Sequence, residues 1–195
     1  PRVRAGFVHD AISWFDRFGD AGRARGRALV PPDSWTAITQ ARPLGWIAID
    51  HDRHIPSAFI EVAGAERAHE FFRSLLVQQL RTPLLRSTLT ATIRLFGMSP
   101  ASLARAAPVG WEVVYRDFCN LRVQQRGPDS TTIVLHSVAP EVFETPAYSA
   151  SFRGFFAGLL DVCDVQGDAE LSVNAPGRLM EVRLHWDQPR PTVAP

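Results

Sequence analysis

The chain has 195 residues, 46% hydrophobic and 21% charged, with a formal net charge of +1. That balance describes a globular protein with a full core and lacks the basic excess of a nucleic-acid binder. No apolar run approaches a membrane span, and the first residues lack the apolar stretch of a secretory signal, so a cytoplasmic protein without a nucleic-acid partner is expected.

From the N-terminus, Val3, Phe7, Ala11, Trp14 and Phe18 recur at helical spacing and predict an amphipathic helix ending near Gly19. Residues 20–29 predict a short helix decorated by Arg23, Arg25 and Arg27, and Pro31-Pro32-Asp33 starts another that runs to about Ala41. Residues 44–49 read as extended or a turn, and residues 52–62 as a helix closed by Gly64. Residues 65–81 form a longer helix with Phe72, Leu75, Leu76, Gln79 and Leu80 on one side. The next runs over 83–96 and stops at Gly97. Ser99-Pro100 supplies an N-cap and first helical residue for a helix toward Ala107, and Pro108 starts a further helix reaching Tyr115 or Asp117.

From Trp111 the pattern becomes strand, turn, strand, helix, strand, turn, strand. Leu121 and Val123 alternate with Arg122 and Gln124, Gly127-Pro128-Asp129-Ser130 turns the chain, and residues 131–138 are rich in β-branched side chains. Ala169, Leu171 and Val173 alternate with polar neighbours, Pro176-Gly177 turns, and Met180, Val182, Leu184 and Trp186 alternate again. The helix between these pairs carries Phe152, Phe155, Phe156, Leu159, Leu160 and Cys163 on one face. Ala150, Gly154 and Gly158 form a second stripe at i, i+4, i+8, where another backbone is expected to pass closely, within the chain or across a dimer. The fold class is therefore α+β. A mainly helical part over 1–110 packs on a four-stranded antiparallel sheet, with one helix between the strand pairs, in a single domain over 1–188. A Pro-rich tail follows over 189–195.

Several clusters carry chemistry-bearing residue types. Asp50-His51-Asp52-Arg53-His54 places two histidines at i, i+3, the spacing of a metal pair; without a third strong ligand, a solvated helix start with Asp52 as N-cap fits better. His136 and His185 fall on the wet face of the sheet, on strands expected to neighbour one another. Asp117, Cys119 and His136 supply the groups of a thiol nucleophile system, but no flanking motif places them together. Cys119 and Cys163 stand alone as free thiols. All 21 basic residues are arginine, which beside abundant Ala, Gly and Pro points to codon bias more than to phosphate binding.

The whole chain resembles an uncharacterised protein family common in myxobacteria. The shared pattern is Trp46 with Asp50, Leu95-Phe96-Gly97, Ala107-Pro108 before Trp111, Tyr115-Arg116-Asp117, and Gly177 with Val182-Arg183-Leu184-His185-Trp186. That family is similar to a wider group of haem-NO-binding domains, 4-vinyl reductase domains and vesicle-tethering TRAPP subunits. The resemblance implies helices on a four-stranded antiparallel sheet, with a ligand pocket between them or dimerisation through helices. Haem-NO-binding domains carry Tyr-x-Ser-x-Arg, whereas Leu135-His136-Ser137-Val138-Ala139 lacks the Tyr and the Arg, and no histidine fits the proximal-ligand pattern. The cysteines of the 4-vinyl reductase type are absent from residues 174–186, so neither haem nor zinc is implied.

The expected function is a non-catalytic small-ligand-binding or sensory module, with no cofactor and no metal. Its pocket for a small apolar ligand is placed at Phe72, Leu76, Trp111, Phe155 and Leu159, residues that equally suit a fully packed core. The alternative is a homodimeric adaptor or assembly subunit with Ala150, Gly154 and Gly158 at an interface. A distant alternative is an enzyme using Cys119 and His136.

Overall fold

In the tripeptide Arg2-Val3-Arg4, alternation prevails over the helical spacing that runs through Val3. Val3 is fully buried, and in a computed structural model describing residues 1–187 these residues form strand β1 (Arg2–Arg4). The expected tail over 189–195 lies outside the described residues. β1 is the centre of a small antiparallel sheet, between β2 (Trp46–Ala48) and β3 (Tyr115–Arg116). The predicted opening helix is thus divided into β1, α1 (Ala5–Ser13) and a 3-10 turn over Trp14–Phe18.

The helical part continues with α2 (Gly19–Leu29), α3 (Pro32–Gln40), α4 (Ile49–Asp52), α5 (His54–Ala63), α6 (Ala65–Arg81), α7 (Pro83–Phe96) and α8 (Pro100–Val114). Two boundaries differ from expectation. The helix predicted from Asp52 begins earlier, as a separate turn that ends at Asp52, and Asp52 is only 4% exposed instead of capping a helix in solvent. Pro108 does not start a new helix. It lies inside α8, where the missing N–H removes one helical hydrogen bond, while buried Leu103, Ala104, Trp111 and Val114 anchor the helix on both sides of it.

The rest of the chain is α+β as the alternation predicts. β4 (Asn120–Gln125), β5 (Ser130–His136), β6 (Gly167–Asn174) and β7 (Leu179–Trp186) make one antiparallel sheet in the order β4-β5-β7-β6, with α9 (Pro146–Val162) between the two pairs in sequence. Central strand β5 is buried on both faces, Ile133 and Leu135 on one and Thr132 and Val134 on the other. One hydrophobic cluster runs from Val3 in β1 to Trp186 in β7 and joins helices and sheet. No helix among the described residues is long and apolar enough to cross a membrane.

Candidate ligand-binding cavity

Helices α6 and α9 set the frame of the site. A Cβ added at Gly154 would stand 2.8 Å from the His69 carbonyl oxygen and 3.0 Å from the Phe72 Cβ. At Gly158 it would run into the Arg73 carbonyl oxygen. Both glycines are buried, so their close approach is to α6 of the same chain and leaves neither for a second copy; Ala150 alone of that stripe is exposed. Arg73 seals the contact, donating from Nε and Nη2 to the two Asp161 carboxylate oxygens at 2.7 Å each.

On the other side of α6 the packing opens into an apolar cavity of about 60 Å³. Leu76 and Leu80 of α6, Leu85 and Leu89 of α7, Trp111 of α8, and Phe155 and Leu159 of α9 bound it. The space exists because α8 presents Ala106, Ala107 and Gly110 where larger residues would fill it. A Cβ at Gly110 would meet only the Leu85 Cδ2, at 4.0 Å. Four of the five expected pocket residues, Leu76, Trp111, Phe155 and Leu159, thus surround one cavity.

Phe72 lies elsewhere, on a second cavity of about 20 Å³. Tyr115 and Phe155 line both cavities and form the wall between them. The smaller one holds a polar group that sequence reasoning missed. Asp52 Oδ2 accepts a hydrogen bond from the Tyr148 hydroxyl at 2.6 Å, with the buried Tyr115 phenol beside them. Burial pushes the Asp52 carboxyl up to about 6, the Tyr148 hydrogen bond pulling the other way. Burial also raises both phenols well above their usual range. The available signal was Tyr148, which precedes Phe152 and Phe155 at i+4 and i+7 on α9; a tyrosine on a buried stripe needs a partner for its hydroxyl.

The other candidate residues stay apart. His51 Nδ1 lies 3.1 Å from the Ser34 hydroxyl, and burial, then the neighbouring Arg53 charge, lowers the His54 pKa. His136 pairs with Leu179 and His185 with Ser130, at opposite ends of β5 and β7, about 20 Å apart at 3.3 Å per residue. Cys119 packs against the core, whereas His136 shares the opposite face of the sheet with Asn120, so the sheet separates thiol from imidazole. Burial pushes the Cys119 thiol up to about 12, partly offset by the Trp111 indole N–H, which has no acceptor in good geometry. Such a thiol stays protonated and is a poor nucleophile. Among the described residues no group of three or more His, Cys, Asp or Glu is arranged to hold a metal ion.

No protein-family model matches the chain. No curated protein matches it by sequence. Solved structures do match over nearly the full length. An Fe(II) unliganded H-NOX protein from K. algicida superposes with a TM-score of 0.63 at 6% identity, covering 96% of this chain and 98% of that one. A variant H-NOX of T. tengcongensis gives 0.58 at 15% identity, covering 96% and 99%. An oxygen-binding H-NOX domain related to soluble guanylate cyclases, in its oxygen complex, gives 0.59 at 14% identity, covering 95% and 96%. The chain has the H-NOX fold. Of the groups implied by the sequence, the haem-NO-binding one is therefore matched at the level of fold, while the myxobacterial family finds no match.

Haem belongs to the H-NOX family, so the cavity is tested against it. The walls contain no histidine, cysteine or methionine. The groups there able to ligate iron are the Tyr115 and Tyr148 phenols, which burial keeps protonated, and the Asp52 carboxylate, which accepts the Tyr148 hydroxyl in a space of about 20 Å³. Aromatic rings occupy the space between helices and sheet: Trp111 stacks on Tyr115 at 4.2 Å, and Phe7 meets Phe155 edge-on at 5.6 Å. The residues present do not fit a haem.

Proposed function

We propose that this chain is a non-catalytic ligand-binding or sensory module that uses the H-NOX fold without haem and takes a compact apolar molecule between α6, α7, α8 and α9. The observation that carries the reading is the apolar cavity itself, held open by Ala106, Ala107 and Gly110 opposite leucines. Apolar cavities of this kind stay dry and accept apolar guests. The separation of Cys119 from His136 supports a binding role over a catalytic one. Titration with n-pentane, followed by thermal melting and native mass spectrometry of the purified protein, tests it. A saturable rise in melting temperature that disappears in Gly110→Leu, whose side chain fills the cavity, is the expected result. No effect on the wild-type protein at saturating n-pentane overturns the reading.

A second reading, a homodimeric adaptor, draws on one observation: Leu95, Phe96 and Met98 are 74%, 58% and 56% exposed around the α7–α8 turn. Light scattering checks it, and a strict monomer at high concentration removes it.

A further inference from the structure

Asp52 is the most deeply buried carboxylate whose charge is left unbalanced. The Asp161, Asp168 and Glu144 carboxylates each meet an arginine, at Arg73, Arg153 and Arg53. Asp52 meets none within 4.0 Å among the described residues, and accepts one hydrogen bond, from Tyr148. Its neighbour Arg53 turns away to Asp50 and Glu144. A carboxylate taken out of water without a counter-charge is costly, so this position favours any cation that can reach it.

The cavity in front of Asp52 is built to receive one. Six aromatic rings line it: Phe7, Phe72, Tyr115, Tyr148, Phe152 and Phe155. Aromatic faces attract cations, most strongly where water is excluded. At about 20 Å³ the space admits one group the size of a water molecule. A primary ammonium head has that size, whereas a trimethylammonium head does not. Beyond the Tyr115 and Phe155 rings lies the larger apolar cavity.

We propose that the two cavities form one bipartite site for a small primary alkylamine, with its ammonium against Asp52 inside the aromatic box and its hydrocarbon among α6, α7, α8 and α9. Rotation of the Phe155 ring joins the compartments. The inference rests on the reading of the larger cavity as a ligand site and gives that ligand its head group.

The test compares n-butylammonium with n-pentane, which replaces the ammonium by a methyl group. Tetramethylammonium serves as a size control. Affinities are measured calorimetrically on the wild-type protein, Asp52→Asn and Gly110→Leu. Wild type should bind n-butylammonium about tenfold or more tighter than n-pentane and ignore tetramethylammonium. Asp52→Asn should lose the preference while keeping n-pentane, and Gly110→Leu should lose both ligands. Equal affinity for the two isosteres in wild type, as expected if only a water molecule occupies the small cavity, overturns the head-group inference and leaves the apolar site standing. So does amine binding that survives Asp52→Asn. If neither isostere binds wild type, both readings fall. The wild-type comparison decides alone should Asp52→Asn fail to fold.

Discussion

Helix α6 is held in opposite ways by its two long neighbours. Against α9 its backbone is in direct contact with two glycines, and the bidentate Arg73–Asp161 pair locks the register. Against α7 it meets leucines across a cavity, and among the described side chains α7 buries only Leu85 and Thr92. Small residues occur on both sides with opposite meaning. Gly154 and Gly158 are small because a backbone fills the place of a side chain, whereas Gly110, across the cavity on α8, faces open space. The first arrangement makes a rigid seam. The second leaves room for a guest, in the part of the helical layer least tied to the core.

The comparison breaks most severely at Gly158. Gly158→Leu drives a branched side chain into the Arg73 carbonyl and the Leu76 Cβ. Overpacking of this kind costs about 3 kcal/mol or more, against a helix-propensity gain of up to ~1 kcal/mol. Thermal melting should show a net loss of roughly 4–8 °C for a chain of this size. A variant as stable as wild type would mean that α6 and α9 are not in backbone contact.

An effect of comparable size comes from the charge beneath the seam. Asp52 is faced by Tyr148 from α9 and Tyr115 from β3, with Asp50, His51 and Arg53 nearby in sequence. Its carboxyl is raised from 3.8 to about 6 in the folded chain, so folding binds its proton more tightly. The resulting stability is fully present below 3.8 and is lost as pH rises through about 6. At about 1.4 kcal/mol per tenfold change in proton affinity, the contribution lost by neutral pH is up to about 3 kcal/mol. The amide introduced by Asp52→Asn cannot ionise, yet its oxygen still accepts the Tyr148 hydroxyl. Asp52→Asn should therefore gain stability relative to wild type between pH 4.5 and 7.5 (about the window of that titration). Parallel denaturant titrations measure the difference, and one that stays flat across the window removes the buried ionisation.

The seam was legible in the sequence and the cavity only in part, for physical reasons. α9 carries a strong helical stripe, and β6 and β7 alternate cleanly, so periodicity alone defines them. Leu76, Trp111, Phe155 and Leu159 are readable as inward-facing apolar residues, but whether they bound a space or fill one depends on neighbours from α7 and α8. β1 escaped notice because three residues are too few for alternation to outweigh the helical spacing around them. Asp52 escaped because its partner Tyr148 is 96 residues away. A carboxylate after a histidine at a helix boundary looks solvated until the fold brings a phenol over it. Phe72, expected at the apolar pocket, belongs to that polar compartment. Its side of α6 turns toward α1 and α5, a rotation the helical stripe alone does not specify.

The smallest effect is the sharpest discriminator, because one substitution should change sign between the two sides of α6. At Gly110 the new Cβ of Gly110→Ala lies in ordinary contact with the Leu85 Cδ2 at 4.0 Å and meets nothing else. Alanine is the better helix former by about 0.8–1.0 kcal/mol and also narrows the unfolded ensemble. Melting should rise by roughly 2–4 °C. Gly154→Ala makes the same chemical change in α9, but its Cβ must displace the His69 carbonyl at 2.8 Å and the Phe72 Cβ at 3.0 Å. The propensity gain is the same, so any difference between the two variants measures the close contact alone. Melting should fall for Gly154→Ala. If both rise equally, the seam has slack, and the contrast between a rigid and an open side of α6 disappears. If both fall, Gly110 also lies against an unyielding neighbour, and the apolar cavity is smaller than 60 Å³.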